Sequence, residues 1–220
     1  LDPSKVDELI CGNILMAGQK QGVARQVELL SGIPHDVPSY GVNMICGSGM
    51  KAVMNAYCDI QANCADVVIA GGTEVMSNTP FLVPSAARSG LKMGNFTVVD
   101  HMINDALTDA FTGVHMGITA ENIVNKYGIT RAEQDEFAIN SQAKAIAAVD
   151  SGAFKDEIVP VVIKTRKEEI VFDTDEYPNR KTSLEKLGTL RPAFVKDGSV
   201  TAGNASGIND GAAAIVVMSE

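Results

Sequence analysis

The alternation of strand-like and helix-like segments at the start of the chain is the feature that most constrains its fold. Short apolar runs typical of strands, "ELICGNIL", "SYGVNMIC" and "ADVVIAGG", are separated by two segments with helical spacing of apolar residues. The second of these segments predicts a helix over 47–62, with an apolar face formed by Met50, Val53, Met54 and Tyr57. The alternation over residues 1–75 predicts a layered α/β domain.

Residues 76–208 have a different character and predict an inserted domain. They begin with a stretch rich in Gly, Pro and Ser that has no clear period. Two helices are predicted further on, "MGITAENIVNKYG", with Thr119 starting its cap, and "TRAEQDEFAINSQAKAIAAVDSG". The longer helix has Thr130 as N-cap, Glu133 three residues later and Gly152 as its stop signal. "EIVPVVIK" and "EEIVFD" then predict two edge strands joined by a turn.

The last apolar run resembles the third strand-like run. "GAAAIVVM" and "DVVIAGG" share small and β-branched residues, and we predict a tight turn after the glycines of "DVVIAGG". We therefore predict that residues 209–220 return to the first sheet as a buried strand.

Composition excludes several classes of protein. A formal net charge of −9 argues against general nucleic-acid binding, and no apolar run approaches the roughly 20 residues of a membrane span. The four cysteines, Cys11, Cys46, Cys58 and Cys64, show neither zinc-ligand spacing nor the density of a disulfide scaffold, so we predict no metal and a cytoplasmic protein. The chain starts without Met or a signal-peptide core, as expected for part of a longer or processed polypeptide.

The junction "NMICGSGMKAV" places a cysteine between a predicted strand and a predicted helix. The free backbone N–H groups and the dipole of the helix favour the thiolate of Cys46, which is the reactive form of the side chain. Gly47, Ser48 and Gly49 leave room for a substrate to approach the sulfur. The same local pattern also fits a buried structural cysteine before a turn.

Five segments together carry a family resemblance. "VNMICGSGMKAV", "ADVVIAGGTEVMSNTPF", "GVHMGITAENI", "LRPAF" and "TAGNASGINDGAAA" resemble the thiolases in order over the whole chain, most closely the short-chain acetyl-CoA acetyltransferase type. The resemblance implies the N-terminal half of the layered α/β/α thiolase fold, with a mixed sheet and a coenzyme A-binding loop domain at about 76–208. It also implies a homo-oligomer, a dimer or tetramer, with the strand before Cys46 near a two-fold interface, and a role in fatty acid metabolism.

The resemblance assigns roles to individual residues. It implies that Cys46 is the nucleophile that accepts the acetyl group from acetyl-CoA or attacks acetoacetyl-CoA, with no tightly bound cofactor. His115 and Met116 would line the acyl and pantetheine end of the pocket, and Leu107 would pack near the coenzyme A (CoA).

Further binding residues lie later in the chain. Arg180, with Lys181 as a rival, matches a loop arginine near the adenine nucleotide. The loop along the pantetheine would contain Ala202, Ala205, Ser206 and Gly207, whose small size lets the backbone approach a ligand.

The sequence also departs from the family pattern. The Gly-His-Pro histidine that activates the nucleophile, the Cys-x-Gly-Gly cysteine and the Asn-Glu oxyanion loop of thiolases do not occur in it. The resemblance therefore implies an internal or N-terminal fragment that is inactive alone. Alternatives are a longer-chain 3-ketoacyl-CoA thiolase, another condensing enzyme of the superfamily, and a non-catalytic thiolase-like module with an unreactive Cys46.

Overall fold

The computed structural model describes residues 1–220, which contain six α-helices and eight strands. In chain order these are β1 (Glu8–Gly12), α1 (Val23–Leu30), β2 (Ser39–Val42), α2 (Ser48–Gln61), β3 (Val67–Val75), β4 (Phe81–Leu82), β5 (Val99–Asp100), α3 (His101–Ala106), α4 (Met116–Tyr127), α5 (Arg131–Ser151), β6 (Val161–Lys164), β7 (Glu169–Phe172), α6 (Leu184–Thr189) and β8 (Asp210–Met218). Short 3-10 turns lie at Pro3–Lys5, Met76–Asn78 and Ser85–Ser89. None of the helices combines the length and the apolar character needed to cross a membrane.

The chain forms two compact units. The first comprises Leu1–Phe111 and Ile208–Glu220, and the second comprises Thr112–Gly207. This division places residues 76–111 with the first unit, so it differs from the boundary at residue 76 that the sequence predicts. The roles predicted for the two domains remain predictions.

A mixed four-stranded sheet organises the first unit, in the order β2-β1-β3-β8. β1 pairs in parallel with β2 and β3, whereas β8 pairs antiparallel with β3 over its full length, from Val67↔Met218 to Val75↔Asp210. The predicted return of the last strand to the first sheet is therefore confirmed. The prediction that this strand is buried is wrong, because β8 forms an edge of the sheet and its residues are exposed except for the half-buried Val217.

Helices cover both faces of this sheet. Leu9 and Cys11 of β1 face a cluster that contains Ala24 of α1, whereas Ile10, between them, joins a second cluster that contains Ala52 of α2. Successive side chains of a strand point to opposite faces, so α1 and α2 lie on opposite sides of the sheet. The predicted layered α/β/α arrangement is confirmed.

The buried face of α2 differs from the one that spacing predicts. Ala52 and Ala56 are fully buried, whereas Met50, Met54 and Tyr57 are 72%, 51% and 60% exposed. The helix starts so close to β1 that a Cβ on Gly12 would lie 2.7 Å from the backbone of Ser48 and Gly49. Such a close approach requires small residues at the contact, so of the four predicted residues only the half-buried Val53 packs against the core.

The glycines that follow "VVIA" lie inside a strand. β3 continues through Gly71 and Gly72 to Val75, so the predicted tight turn is wrong. A Cβ on Gly72 would lie 3.2 Å from the carbonyl oxygen of Gly12, and a Cβ on Gly71 would overlap the backbone of Ala213. These glycines therefore allow neighbouring backbone to approach closely, rather than reversing the chain direction.

The second unit contains α4 to α6 and the antiparallel hairpin of β6 and β7 that the sequence predicts. α5 has the predicted capping box, in which the Thr130 hydroxyl accepts from the Glu133 N–H and the Glu133 carboxylate accepts from the Thr130 N–H. It ends at Gly152, which has a φ of 68°, as predicted. α4, however, is capped by His115 and not by Thr119.

Candidate active site

Cys46 lies in a tight turn between β2 and α2. The strand ends at Val42, four residues earlier than the predicted strand, and the intervening turn is closed by the buried side chain of Ser48. The Ser48 hydroxyl accepts from the Met44 N–H at 2.9 Å and donates to the Ile45 carbonyl oxygen at 2.6 Å. Asn43 adds a third contact by accepting from the Ile45 N–H at 3.2 Å. These bonds determine the path of the backbone on either side of the thiol.

The residue before the thiol has a strained backbone. Ile45 has a φ of 48°, in the left-handed region that β-branched residues rarely adopt. Such conformations cost about 1–3 kcal/mol and persist where surrounding contacts enforce them. The two side chains that bond to the Ile45 backbone, Ser48 and Asn43, supply that enforcement.

An open cavity of about 390 Å³ borders the cysteine. Most of its lining residues are small, and they come from the ends of β1 and β3, the start of α2, the first residues of β8 and the adjoining loops: Gly12, Ile14, Ile45, Cys46, Ser48, Gly49, Gly72, Thr73, Glu74, Gly211, Ala212 and Ala213. Because half of these residues are glycine or alanine, backbone groups of the cavity can lie close to a bound molecule. Cys46 itself is exposed, which corrects the alternative of a buried structural cysteine.

Glu74 is the only ionisable lining residue besides the thiol. Its carboxylate accepts from the Asn13 side-chain amide at 3.1 Å, the Ile14 N–H at 3.1 Å and the Leu15 N–H at 2.9 Å. These bonds hold the loop after β1 against the end of β3, and they occupy most of the acceptor capacity of the carboxylate. Since no imidazole lines the cavity, this part of the site offers the Cys46 thiol but no histidine base.

The other cysteines have different surroundings. Cys11 is buried in β1, and burial raises the pKa of its thiol, which disfavours the reactive thiolate. Cys58 and Cys64 are free and exposed like Cys46, so exposure alone does not distinguish Cys46 as the candidate nucleophile. The strained turn and the glycine-lined cavity are what set Cys46 apart. The chain contains no cluster of three or more His, Cys, Asp or Glu side chains that could hold a metal ion.

His115 and Met116 lie at the start of α4 in the second unit. The His115 ring accepts from the Gly117 N–H through Nδ1 at 3.0 Å and stacks on Phe194, with ring centroids 4.9 Å apart. The Phe194 ring also covers Gly117, where a Cβ would overlap it. The imidazole is therefore held in one orientation, with Nδ1 used as an acceptor. Leu107, also predicted to bind CoA, follows α3 in the first unit and donates its N–H to the Ile103 carbonyl oxygen.

Arg180 forms a two-pronged ion pair with Asp150 at the end of α5. The two N···O distances are 2.9 Å and 2.5 Å, and both side chains are 56% exposed. The hydrogen bond from Arg180 lowers the pKa of Asp150 below its ordinary value. Lys181, the rival residue, has its carbonyl oxygen bonded to the Lys186 ammonium group. Arg180 thus has a carboxylate partner in the protein that an anionic ligand would have to displace.

The segment 198–205, which contains the predicted Ala202 and Ala205, is held by residues that the sequence patterns did not single out. Buried Glu121 of α4 accepts from the Ser199 and Val200 N–H groups, both at 2.8 Å. Burial alone would raise the pKa of Glu121, but these hydrogen bonds outweigh it and lower the pKa. The sequence contained one signal for this role, because Glu121 falls on the inner face of a predicted helix, where a glutamate is rarely buried unless it is paired.

The family model for the thiolase N-terminal domain matches residues 1–220. The chain belongs to the thiolase family. A Staphylococcus aureus protein named "Probable acetyl-CoA acyltransferase" is 55% identical to this thiolase chain, and a Pseudomonas aeruginosa acetyl-CoA acetyltransferase is 53% identical. Each alignment covers 100% of the chain and 56% of the relative, so the chain spans little more than half of their length.

Two solved structures have the same fold as this thiolase chain. They are the acetyl-CoA acetyltransferases of Bacillus anthracis, with a TM-score of 0.95 at 44% identity, and of Syntrophomonas wolfei, with a TM-score of 0.96 at 46% identity. Both matches cover 100% of the chain and 55% of the solved chain. The thiolase fold that the sequence motifs imply is confirmed.

Proposed function

We propose that the full-length protein is an acetyl-CoA C-acetyltransferase, which condenses two acetyl-CoA molecules to acetoacetyl-CoA and CoA or catalyses the reverse thiolysis. The observation that carries the proposal is the exposed Cys46, held in a strained turn beside a glycine-lined cavity, in a chain of the thiolase family. The names of the similar proteins support the same class of substrate, CoA thioesters. No tightly bound cofactor is needed for this chemistry.

The proposed reaction proceeds in two acyl transfers. The Cys46 thiolate attacks the carbonyl carbon of acetyl-CoA, the bond to the CoA sulfur breaks, and CoA leaves as a thiolate that takes up a proton. A second acetyl-CoA then loses a proton from its methyl group, and the resulting carbon attacks the acetyl-cysteine. Acetoacetyl-CoA forms, and the Cys46 thiolate is released. The backbone groups of the cavity are suited to approach the acetyl oxygen.

The proposed CoA-binding residues are those that the family resemblance assigns. His115 and Met116 would contact the acyl and pantetheine end and Leu107 would pack near CoA, while Arg180 would contact the nucleotide end. The small residues of the loop, Ala202, Ala205, Ser206 and Gly207, would lie along the pantetheine. The stacked and hydrogen-bonded His115 ring supports a lining role, because its position is held without a ligand.

Mass spectrometry of a quenched reaction tests the proposal. The full-length protein is mixed with acetyl-CoA and digested, and the peptides with Cys46 and Cys58 are examined for acetylation. We expect acetyl groups on Cys46 alone, and loss of turnover in Cys46→Ser, since a hydroxyl is far less ionised than a thiol at neutral pH. Cys58→Ser is the matched control, because Cys58 is also free and exposed, and it should retain turnover.

The same experiment distinguishes the alternatives. An unmodified Cys46 with no turnover would favour a non-catalytic module and contradict the proposal. The broader name acyltransferase among the relatives makes a longer-chain thiolase the second candidate. A higher kcat/KM for longer 3-ketoacyl-CoA substrates than for acetoacetyl-CoA would support that candidate. We further propose a homo-oligomer, as the family resemblance implies, and a cytoplasmic location, as the low cysteine density suggests.

A further inference from the structure

Two buried carboxylates hold the segment 198–205 from different helices. Glu121 of α4 is 5% exposed, and one of its oxygens receives the consecutive N–H groups of Ser199 and Val200. Its other oxygen accepts from the Ser199 hydroxyl at 3.1 Å. Because two successive peptide groups bond to one atom, the orientation of both peptide planes is specified.

Asp135 of α5 acts at the other end of the segment. This residue is also 5% exposed, and it accepts from the Asn204 side-chain amide at 3.0 Å and from Arg131 Nε at 2.8 Å. Asn204 in turn accepts from the Thr201 N–H at 2.7 Å and donates to the Ser199 carbonyl oxygen at 3.1 Å. The carboxylate therefore secures a side chain that bridges the segment internally.

The packing around the segment leaves little freedom. Thr201 is fully buried and Val200 is 6% exposed. A Cβ on Gly198 would lie 2.5 Å from Glu121 Oε1, and a Cβ on Gly203 would lie 2.5 Å from Leu187 and Leu190. Gly198 thus allows the close approach of Glu121, which holds the segment, and Gly203 leaves room for the two leucine side chains.

Burial of two carboxylates is costly unless each is fully hydrogen bonded, and apolar side chains could fill the same space without that cost. Apolar packing, however, is non-directional, whereas the hydrogen bonds of Glu121 and Asp135 specify where backbone groups of the segment point. The arrangement is therefore suited to a segment whose exact backbone shape matters.

We propose that Glu121 and Asp135 are positioning residues that preorganise the 198–205 segment to receive the pantetheine part of a CoA thioester. The inference rests on the proposed function, in which Ala202 and Ala205 contact that part of the substrate. The two carboxylates act through the segment and do not themselves touch the substrate. Without them the segment would have to be ordered when the substrate binds, which weakens binding.

Steady-state kinetics of the full-length protein test the inference. We expect Glu121→Ala to raise the KM for acetoacetyl-CoA about tenfold, while kcat changes less than about threefold, because a buried charge-assisted contact is lost away from the reacting atoms. Glu121→Gln keeps an oxygen that can accept both N–H groups, so its KM should stay within about threefold of wild type. Asn204→Ala should raise KM in the same direction, since it breaks the link to Asp135 without removing either carboxylate.

Glu28→Ala is the matched control for loss of stability. Glu28 is fully buried in α1, where its carboxylate bonds to Arg25 and Ser39 in the first unit. This variant should lower the melting temperature without changing KM. Amide hydrogen exchange of residues 199–205, measured without substrate, should be faster in Glu121→Ala than in wild type and unchanged in Glu28→Ala.

The outcomes separate the inference from the proposed function. The positioning role would be overturned if KM were unchanged in both Glu121→Ala and Asn204→Ala, or if KM rose equally in Glu28→Ala. Turnover by the wild-type protein would still support the proposed function in either case. A folded wild-type protein without turnover or CoA binding would remove the proposed function and the inference with it. If Glu121→Ala does not fold, Asn204→Ala with wild-type KM and wild-type exchange rates contradicts the inference on its own.

Discussion

At the scale of single residues, the turn that carries Cys46 shows how hydrogen bonds hold a thiol at a surface. Ile45 adopts a φ of 48° and is restrained by Asn43 and Ser48, whose polar atoms bond to backbone groups in the turn. The small residues that follow the thiol keep its surroundings open, and the buried hydroxyl of Ser48 stabilises the turn from beneath. Local backbone strain beside the thiol is thus supported by hydrogen bonds from its own loop.

The first prediction concerns Ser48. Ser48→Ala removes both hydrogen bonds of the hydroxyl, so we expect the turn to relax. Because the thiol is then no longer held in its exposed position, iodoacetamide should alkylate Cys46 about tenfold more slowly. Alkylation rates are measured by peptide mass spectrometry at neutral pH. Cys58 and Cys64, exposed in the same molecule, serve as internal controls and should react at unchanged rates. Equal slowing of all three thiols, or an unchanged rate at Cys46, would contradict the role given to Ser48.

At the scale of secondary-structure elements, the C-terminal end of α5 is linked to the loop that carries Arg180. The helix has no basic residue in its last turn, and Asp150 there pairs with Arg180. An exposed ion pair of this kind contributes little to stability, because water and salt screen the two charges. Such a weak interaction can be exchanged for one with an anionic ligand, and this property makes the loop a candidate for contact with the phosphates of CoA.

The second prediction tests that exchange. Asp150→Asn frees the guanidinium group of Arg180, so we expect CoA to bind about two- to fivefold more tightly at low salt. Asp156→Asn makes the same change in net charge on an exposed residue a short distance along the chain, and it should have a smaller effect. Binding is measured by calorimetry on the full-length protein at two salt concentrations. Equal effects of the two variants would remove Arg180 from the proposed site.

At the scale of the whole chain, apolar side chains remain exposed at one edge of the first unit. Ile215, Val216 and Met218 of β8 are 50%, 46% and 59% exposed, and β8 has a sheet partner on one side only. Unpaired strand edges with apolar side chains favour association with other chains. The 220-residue chain is therefore expected to self-associate.

The third prediction follows from this edge. Light scattering of the purified 220-residue chain should show an average mass that rises with concentration, and Val216→Lys should reduce that rise. Phe137→Lys is the control, because Phe137 is 79% exposed but belongs to a helix and not to an edge strand. A monomer at every concentration, or the same reduction in both lysine variants, would contradict the prediction. The oligomer proposed for the full-length protein is a separate prediction, tested by its own solution mass.

The sequence by itself determined the features that depend on neighbours within a few residues. The capping box of Thr130 and Glu133, the stop at Gly152 and the strand–helix alternation of the first unit were all predicted, because each is set by contacts along one turn or one strand. The motif around Cys46 identified the family, and the family match confirms it. The placement of the thiol between a strand and a helix followed from the same local pattern.

Only the tertiary structure decided which surfaces are buried and which polar groups meet. Spacing along α2 could not show that Ala52 and not Met50 faces the sheet, because that choice depends on how closely the helix approaches β1. The role of Glu121 was equally hidden, since its partners lie 78 and 79 residues further along the chain. Periodicity reports an element's own geometry, whereas burial and hydrogen bonding depend on long-range contacts that form when the chain folds.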